Sequence, residues 1–231
     1  MIGITWLGHS AFQFRLDSGE VLLLDPWLEG NPCYPKQHEL SRVDAILVTH
    51  GHFDHIANAV QIAQQFDAAV IANYEVCAYL KSKGVNKTSP MNKGGSQLCC
   101  GVRVFMTHAL HSSGIEDGGG MIYGGEAAGY VLELPDRRTL YFAGDTDVFG
   151  DMDLIRDLYR PELVFLPIGD LYTMGPRQAE LACRLLKPRK IIPMHFGTFP
   201  PLSGRPEQLA ERIKDLDAEV WPLEPGKPVE W

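Results

Sequence analysis

Residues 45–55 are Ala45-Ile46-Leu47-Val48-Thr49-His50-Gly51-His52-Phe53-Asp54-His55, an apolar run that passes directly into three histidines and an aspartate. The apolar half has the length and composition of a buried strand. The polar half is too dense in imidazole and carboxylate to be an incidental turn, and this combination suits zinc, iron or manganese rather than calcium. His50 and His52 can point together while Asp54 and His55 point to a neighbouring position. Two positions imply two cations.

The same arrangement recurs further along the chain. The apolar run 102–107 is followed by His108 and His111, the run 139–143 by Asp145 after one glycine, and the run 190–194 by His195. Sites in α/β proteins gather at the carboxyl ends of strands, because rigid strands aim the following residues at one crevice. We therefore expect these side chains to converge.

The remaining patterning predicts a mixed α/β sandwich in which helices cover the sheets. Strands are predicted at 2–7, 11–16, 21–24, 45–49, 102–107, 129–134, 139–143, 163–167 and 190–194. Helices are predicted at 176–186 and 206–216, each with a proline at its start, and Ile56, Val60 and Ala63 share a third helical face. A chain of 231 residues can form one large domain, and we expect a single domain over 1–231.

The segment 114–125 is rich in glycine, with Gly118-Gly119-Gly120 and Gly124-Gly125 near its centre and end. Such a segment is either a flexible flap over an active site or a plain surface connection. The pattern of residues does not decide between the two.

Composition excludes several classes of protein. Hydrophobic residues make up 45% and charged residues 22%, with no apolar run long enough for a membrane span. The net charge of −8 disfavours binding to nucleic-acid backbones, so no nucleic acid is expected as a partner. Five cysteines show no paired framework and the N-terminus no export signal, which predicts reduced thiols and a cytoplasmic location.

The His50–His55 block resembles the signature of the metallo-β-lactamase superfamily. Flanking phrases resemble a branch of metal-dependent hydrolases similar to ascorbate-6-phosphate lactonases. These phrases are Trp6-Leu7-Gly8-His9-Ser10, Asp25-Pro26-Trp27, Gly144-Asp145-Thr146, Leu166-Pro167-Ile168-Gly169 and Pro193-Met194-His195-Phe196-Gly197. The resemblance covers nearly the whole chain. It implies a four-layer αββα sandwich, in agreement with the strand and helix pattern.

The resemblance also implies a role for each candidate ligand. His50, His52 and His111 would bind the first cation, Asp54, His55 and His195 the second, and Asp145 would bridge both. His108 is the alternative to His111, which fits better because His-Ser-Ser-Gly matches the third motif of the family. Asp170 stands where the branch has glycine, which puts a tight backbone approach there in doubt.

The expected function is metal-dependent hydrolysis of an ester-type bond, a lactone or a phosphodiester, in a small molecule. Two divalent ions, zinc before manganese or iron, would activate a bound hydroxide, with Asp54 accepting its proton. His9 would contact substrate or a ligand, and Thr198, Phe199 and Tyr172 would line the pocket; packing and turn roles are the alternatives. A non-catalytic metal-binding or sensing protein and a nuclease acting on RNA or DNA remain alternative functions. No membrane partner is expected, and a homo-oligomer is left open.

Overall fold

The computed structural model describes residues 1–231, which divide into two compact units. The first unit comprises residues 1–92, 112–126 and 223–231, and the second comprises 93–111 and 127–222. Each unit holds one seven-stranded sheet, and a separate two-stranded hairpin lies in the first. None of the helices is long and apolar enough to cross a bilayer.

The strands are β1 Ile2–Trp6, β2 Phe12–Leu16, β3 Val21–Leu24, β4 Ala45–Leu47, β5 Ala69–Asn73, β6 Thr88–Met91, β7 Ser96–Cys99, β8 Val102–His108, β9 Gly114–Asp117, β10 Gly120–Tyr123, β11 Ala128–Glu133, β12 Thr139–Phe142, β13 Leu163–Pro167, β14 Lys190–Met194, β15 Glu219–Val220 and β16 Val229–Glu230. The helices are α1 Phe53–Ile56, α2 Ala59–Phe66, α3 Tyr74–Ser82, α4 Met152–Tyr159, α5 Pro176–Leu186 and α6 Pro206–Arg212.

The sheet of the first unit has the strand order β16-β1-β2-β3-β4-β5-β6. Strands β3 to β6 are parallel, and β1 runs in the same direction as β3 because β2 is antiparallel to both. Three carboxyl ends therefore meet at one edge, where His9 follows β1, Asp25 follows β3 and His50 follows β4. This edge carries the polar residues that the sequence singles out.

Helices α1, α2 and α3 pack on one face of this sheet. Their apolar side chains, including Ile62, Val76 and Leu80, form a buried cluster with Ile46 and Val70 from the strands. Burial of each such side chain stabilises the fold by about 1.5–3 kcal/mol. Strand β3, Val21–Leu24, is buried at every position. It therefore lacks the alternation of buried and exposed side chains that is typical of a sheet with one face in solvent.

The sheet of the second unit has the order β15-β14-β13-β12-β11-β8-β7. Strands β12 to β15 are parallel, and β8 runs with β12 because β11 is antiparallel to both. His111, Asp145 and His195 therefore leave the sheet at the same edge, after β8, β12 and β14. Helices α4, α5 and α6 cover one face through a second apolar cluster that includes Ile155, Cys183 and Leu209.

The structure confirms the predicted mixed α/β architecture and corrects two details. The glycine-rich segment is not an irregular loop: β9 and β10 pair as an antiparallel hairpin, and Gly118 and Gly119 turn it with positive φ angles. The helix predicted over 206–216 ends at Arg212, since Ile213 has left the helical conformation.

Candidate metal centre

The histidine loop of the first unit follows β4 and runs into α1. His50 and His55 are fully buried, and their ring centroids lie 4.1 Å apart. His52 is half-buried, and its Nδ1 lies 3.0 Å from Nε2 of His50. Nitrogen atoms of neighbouring imidazoles at this spacing can face a common cation.

Asp25 anchors this loop from the end of β3. Its Oδ1 accepts the Thr49 backbone N–H at 2.7 Å, and its Oδ2 accepts the Thr49 hydroxyl at 2.7 Å and Nδ1–H of His55 at 2.7 Å. Burial raises the pKa of the Asp25 carboxyl, and the interactions with His55 and Thr49 oppose that rise. Three hydrogen bonds compensate the burial of this acidic group.

The same network fixes the tautomers of two histidines. Because the Thr49 hydroxyl donates to Asp25, its oxygen accepts from Nδ1 of His50, which lies 2.9 Å away. His55 likewise donates from Nδ1 to Asp25. Both rings therefore carry their lone pair on Nε2, the arrangement that metal-ligating histidines need. Asp25, His50 and His55 place ligand atoms within 4.8 Å of one another.

His9 contacts Asp54 in the first unit. Nε2 of His9 lies 3.0 Å from Oδ2 of Asp54, and the His9 ring is buried with its edge against Trp27. His9 has a positive φ of 56°, and its carbonyl accepts a hydrogen bond from the indole of Trp6 at 3.0 Å. Oδ2 of Asp54 lies 4.0 Å from Nε2 of His55, so the predicted residues Asp54 and His55 are brought together.

Two serines connect the histidine loop to the β9–β10 hairpin. The hydroxyl of Ser113 accepts the N–H of Gly51 at 3.0 Å and donates to the carbonyl of Gly124 at 2.9 Å. The hydroxyl of Ser112 lies 3.2 Å from Nε2 of His52. The base of the hairpin is thus fixed to the candidate ligands.

The second unit contributes an aspartate with two histidines. Oδ2 of Asp145 lies 3.0 Å from Nε2 of His195 and 3.7 Å from Nε2 of His111. Asp145 and His195 are buried, and Gly144, the residue before Asp145, has a positive φ of 63°. One carboxylate oxygen between two imidazole nitrogens has the donor chemistry of a divalent transition-metal site.

His108 takes a different position from His111. Its ring is exposed at the end of β8 and packs edge-on against Phe149, with centroids 5.2 Å apart. The ring nitrogen that approaches Asp145 belongs to His111. This geometry favours His111 over His108 as the third histidine.

The predicted pocket residues differ in their exposure to solvent. Thr198 is buried and Phe199 half-buried in the turn after His195, whereas Tyr172 is 61% exposed. The loop of Tyr172 is joined to that of Asp145, because Met174 N–H donates to the Thr146 carbonyl at 3.1 Å. Asp170, at the predicted glycine position, has a positive φ of 71° and thus adopts the conformation that favours glycine.

Thr49 and Ser113 orient the loop by hydrogen bonds and are not among the residues predicted from the sequence. The available signal was position: Thr49 immediately precedes the histidine block, and Ser113 lies two residues after His111. Within the first unit, imidazoles with fixed tautomers lie beside carboxylates, and within the second unit Asp145 lies beside two imidazoles. Both sets fit divalent transition-metal ions.

The pattern of a β-lactamase superfamily domain matches residues 20–196, most of the chain. The chain therefore belongs to the β-lactamase superfamily, which confirms the resemblance, the fold and the expected class, a metal-dependent hydrolase. A protein of Solibacter usitatus named UPF0173 metal-dependent hydrolase is 67% identical over 228 residues, which are 99% of each chain. A homologue of the same name from Methanosarcina barkeri is 43% identical over the full length of both chains.

The fold is also similar to a solved structure of a metallo hydrolase, Igni18 of Ignicoccus hospitalis. The identity is 32%, the TM-score is 0.85, and the match covers 100% of this chain and 99% of that one. Each of these three matches covers at least 99% of the length of the related protein.

Proposed function

We propose that this protein uses two divalent cations to hydrolyse an ester-type bond, a lactone or a phosphodiester, in a small molecule. The observation that carries the proposal is the Asp25 network, which holds His50 and His55 with Nε2 ready to ligate. A surface turn whose histidines bind no metal would not require a buried carboxylate that fixes the tautomers of two of them.

We propose a single domain over 1–231, because the proposed ligands come from both units. His50, His52 and His111 would hold one cation, Asp54, His55 and His195 the other, and Asp145 would bridge them. Zinc is the first candidate, and manganese and iron also accept this donor set. When bound, such cations lower the pKa of a coordinated water and polarise the ester oxygen that develops charge.

The residues of the chain itself then have distinct tasks. Asp25 and Thr49 orient imidazoles, and His9 donates from Nε2 to Oδ2 of Asp54. That hydrogen bond leaves the other carboxylate oxygen of Asp54 to ligate or to accept a proton from the attacking water. Thr198, Phe199 and Tyr172 are proposed to contact the substrate.

The net charge of −8 supports a small substrate over a polyanion. Among ester-type bonds we favour a lactone slightly, because the flanking phrases resemble the branch similar to ascorbate-6-phosphate lactonases. The cytoplasmic location stays a prediction that rests on the unpaired number of cysteines.

The direct test is metal analysis followed by reconstitution and a panel of lactones, thioesters and phosphodiesters. We expect zinc- or manganese-dependent turnover of one class, and a loss of kcat/KM of at least about 100-fold in Asp145→Asn and His50→Ala. His38→Ala is the matched control, because His38 bonds Gln13 outside the cluster and should leave turnover unchanged. Tight metal binding with no turnover across the panel would favour the metal-sensing alternative. Binding of tRNA that weakens steeply with salt would favour the nuclease.

A further inference from the structure

The five cysteines of the chain fall into three environments. Cys77 and Cys183 are buried, and burial raises the pKa of their thiols to about 11 and about 12, so both are inert. Cys33 is half-buried. Cys99 and Cys100 are also half-buried, and they are consecutive in the chain. This last pair has no part in the proposed hydrolysis.

The pair lies at the turn between β7 and β8. Cys99 pairs with Val102 across the hairpin, so that Cys100 and Gly101 form a two-residue turn. Both turn residues have positive φ angles, 50° for Cys100 and 77° for Gly101, as a type I′ turn requires. Asparagine or aspartate is usual at the first of these positions, and a cysteine there occupies the left-handed region at a conformational cost. An unfavourable backbone conformation of this kind suggests that the side chain has a use.

The sulfur atoms are spaced for a shared cation. Sγ of Cys99 lies 3.7 Å from Sγ of Cys100. A tetrahedral ion with two bonds to sulfur of about 2.3 Å separates the sulfur atoms by about 3.8 Å, so the pair fits without rearrangement. A disulfide has an S–S bond of about 2.05 Å and Cα atoms usually at least about 4.4 Å apart, whereas consecutive Cα atoms are about 3.8 Å apart, so a disulfide here would be strained. The geometry therefore favours capture of an ion over oxidation.

We propose that Cys99 and Cys100 form a second metal site, a dithiolate that binds one thiophilic divalent cation such as Zn²⁺ or Cd²⁺. Two thiols lose their protons, two metal–sulfur bonds form, and two protons are released, with water completing the coordination. This site is independent of the imidazole–carboxylate centre, because β8 spans about 20 Å between the Cys100 turn and its opposite end near His108.

Titration of the metal-reconstituted full-length protein with Cd²⁺ tests this site. The readout is the ultraviolet charge-transfer absorption of cadmium thiolate, which a centre built from imidazole and carboxylate does not give. We expect the band to saturate at one Cd²⁺ per chain with release of two protons. Cys99→Ser and Cys100→Ser should each weaken the binding at least about tenfold, whereas Cys33→Ser should titrate as the wild type does. Hydrolase activity should be unchanged in all three variants.

A second measurement needs no variant. Phenylarsine oxide, a trivalent arsenical, condenses with two adjacent thiols and releases one water. One equivalent should add to the wild type, detected by mass spectrometry, and abolish the cadmium band. Absence of a thiolate band in the wild type would overturn the proposal, as would an unchanged band in the Cys99→Ser/Cys100→Ser double variant or a band that appears only in a cadmium-linked dimer. Because neither readout depends on hydrolysis, failure here is separate from failure of the proposed function.

Discussion

Asp25 is a single buried residue whose carboxylate orients two candidate ligand histidines. It touches His55 directly and reaches His50 through Thr49. A neutral amide at this position would lose the charge and could accept through one oxygen only. The orientation of both imidazoles would then be less well fixed.

Asp25→Asn should therefore lower metal affinity by about 10–100-fold while the fold is retained. Competition with a chelator gives the affinity, and circular dichroism checks the fold. Asp67→Asn is the control, because Asp67 lies at the exposed C-terminal end of α2 and pairs with Lys87. Equal affinity in the two variants would show that Asp25 does not orient the ligands.

Gly169 controls the position of His195 by the absence of a side chain. A Cβ atom at Gly169 would lie 2.0 Å from the backbone oxygen of His195, which cannot move as a flexible side chain could. Gly169→Ala should thus destabilise the protein by about 1–3 kcal/mol and reduce metal content. Gly150→Ala is the control, since a Cβ at Gly150 meets nothing within 4 Å. Thermal unfolding and metal analysis of both variants distinguish a local effect from general instability.

At the scale of single elements, the strands that lead to candidate ligands are predictable from the sequence because each is one continuous apolar run. Other strands form only because they pair with a neighbouring strand. Strand β6, Thr88–Met91, contains a proline and forms beside β5 at the edge of its sheet. The sequence does not predict helix α4, because Leu154 and Leu158 are exposed while Met152 and Ile155 are buried, so apolar residues lie on both faces of the helix. The bonds of Asp25 to Thr49 and His55 span 24 and 30 residues, beyond the reach of local patterns.

The hairpin β9–β10 is a second case in which pairing decides. Its glycine content suggested a flap or a connection, but Ile115 is buried and pairs with Ile122 across the two strands. Ser113 and Gly124 then fix its base. The ends of the hairpin are therefore held by hydrogen bonds that the glycine count cannot reveal.

Arg184 on α5 pairs with Glu180, one turn earlier on the same helix, and with Asp215, which follows α6 in the chain. Hydrogen bonds from Arg184 lower the pKa values of both acids. An acid whose pKa is lower in the folded than in the unfolded state stabilises the folded protein at pH values above its unfolded pKa of about 4. This stabilisation is lost as the pH falls through the folded-state pKa.

Arg184→Met should lower the melting temperature by about 1–3 °C near pH 7, since the pairs are exposed and screened. The difference from the wild type should begin to shrink near about pH 4 and vanish only once the pH is below the lowered folded-state pKa values of Glu180 and Asp215. Arg177→Met, at an exposed position on the same helix, is the control for loss of an arginine. A difference that stays constant with pH would mean that the ion pairs contribute nothing.

At the scale of the whole molecule, the proposed ligands come from both units, so cation binding should couple them. Each cation at 100 times its dissociation constant would add about 2.7 kcal/mol to the free energy of unfolding, a shift of about 5–10 °C per bound cation for a chain of this size. Calorimetry of the loaded protein should show one transition, shifted downward by chelation. Two separate transitions would contradict a single domain.

Anomalous diffraction from crystals loaded with zinc or manganese is the most direct measurement of the central claim. We expect two metal peaks about 3.5–4 Å apart, with Asp145 in contact with both. Nitrogen atoms of His50, His52 and His111 should lie about 2.0–2.1 Å from one peak, and those of His55 and His195 about that far from the other. Peaks that touch residues of only one unit, or no peak near Asp145, would contradict the account.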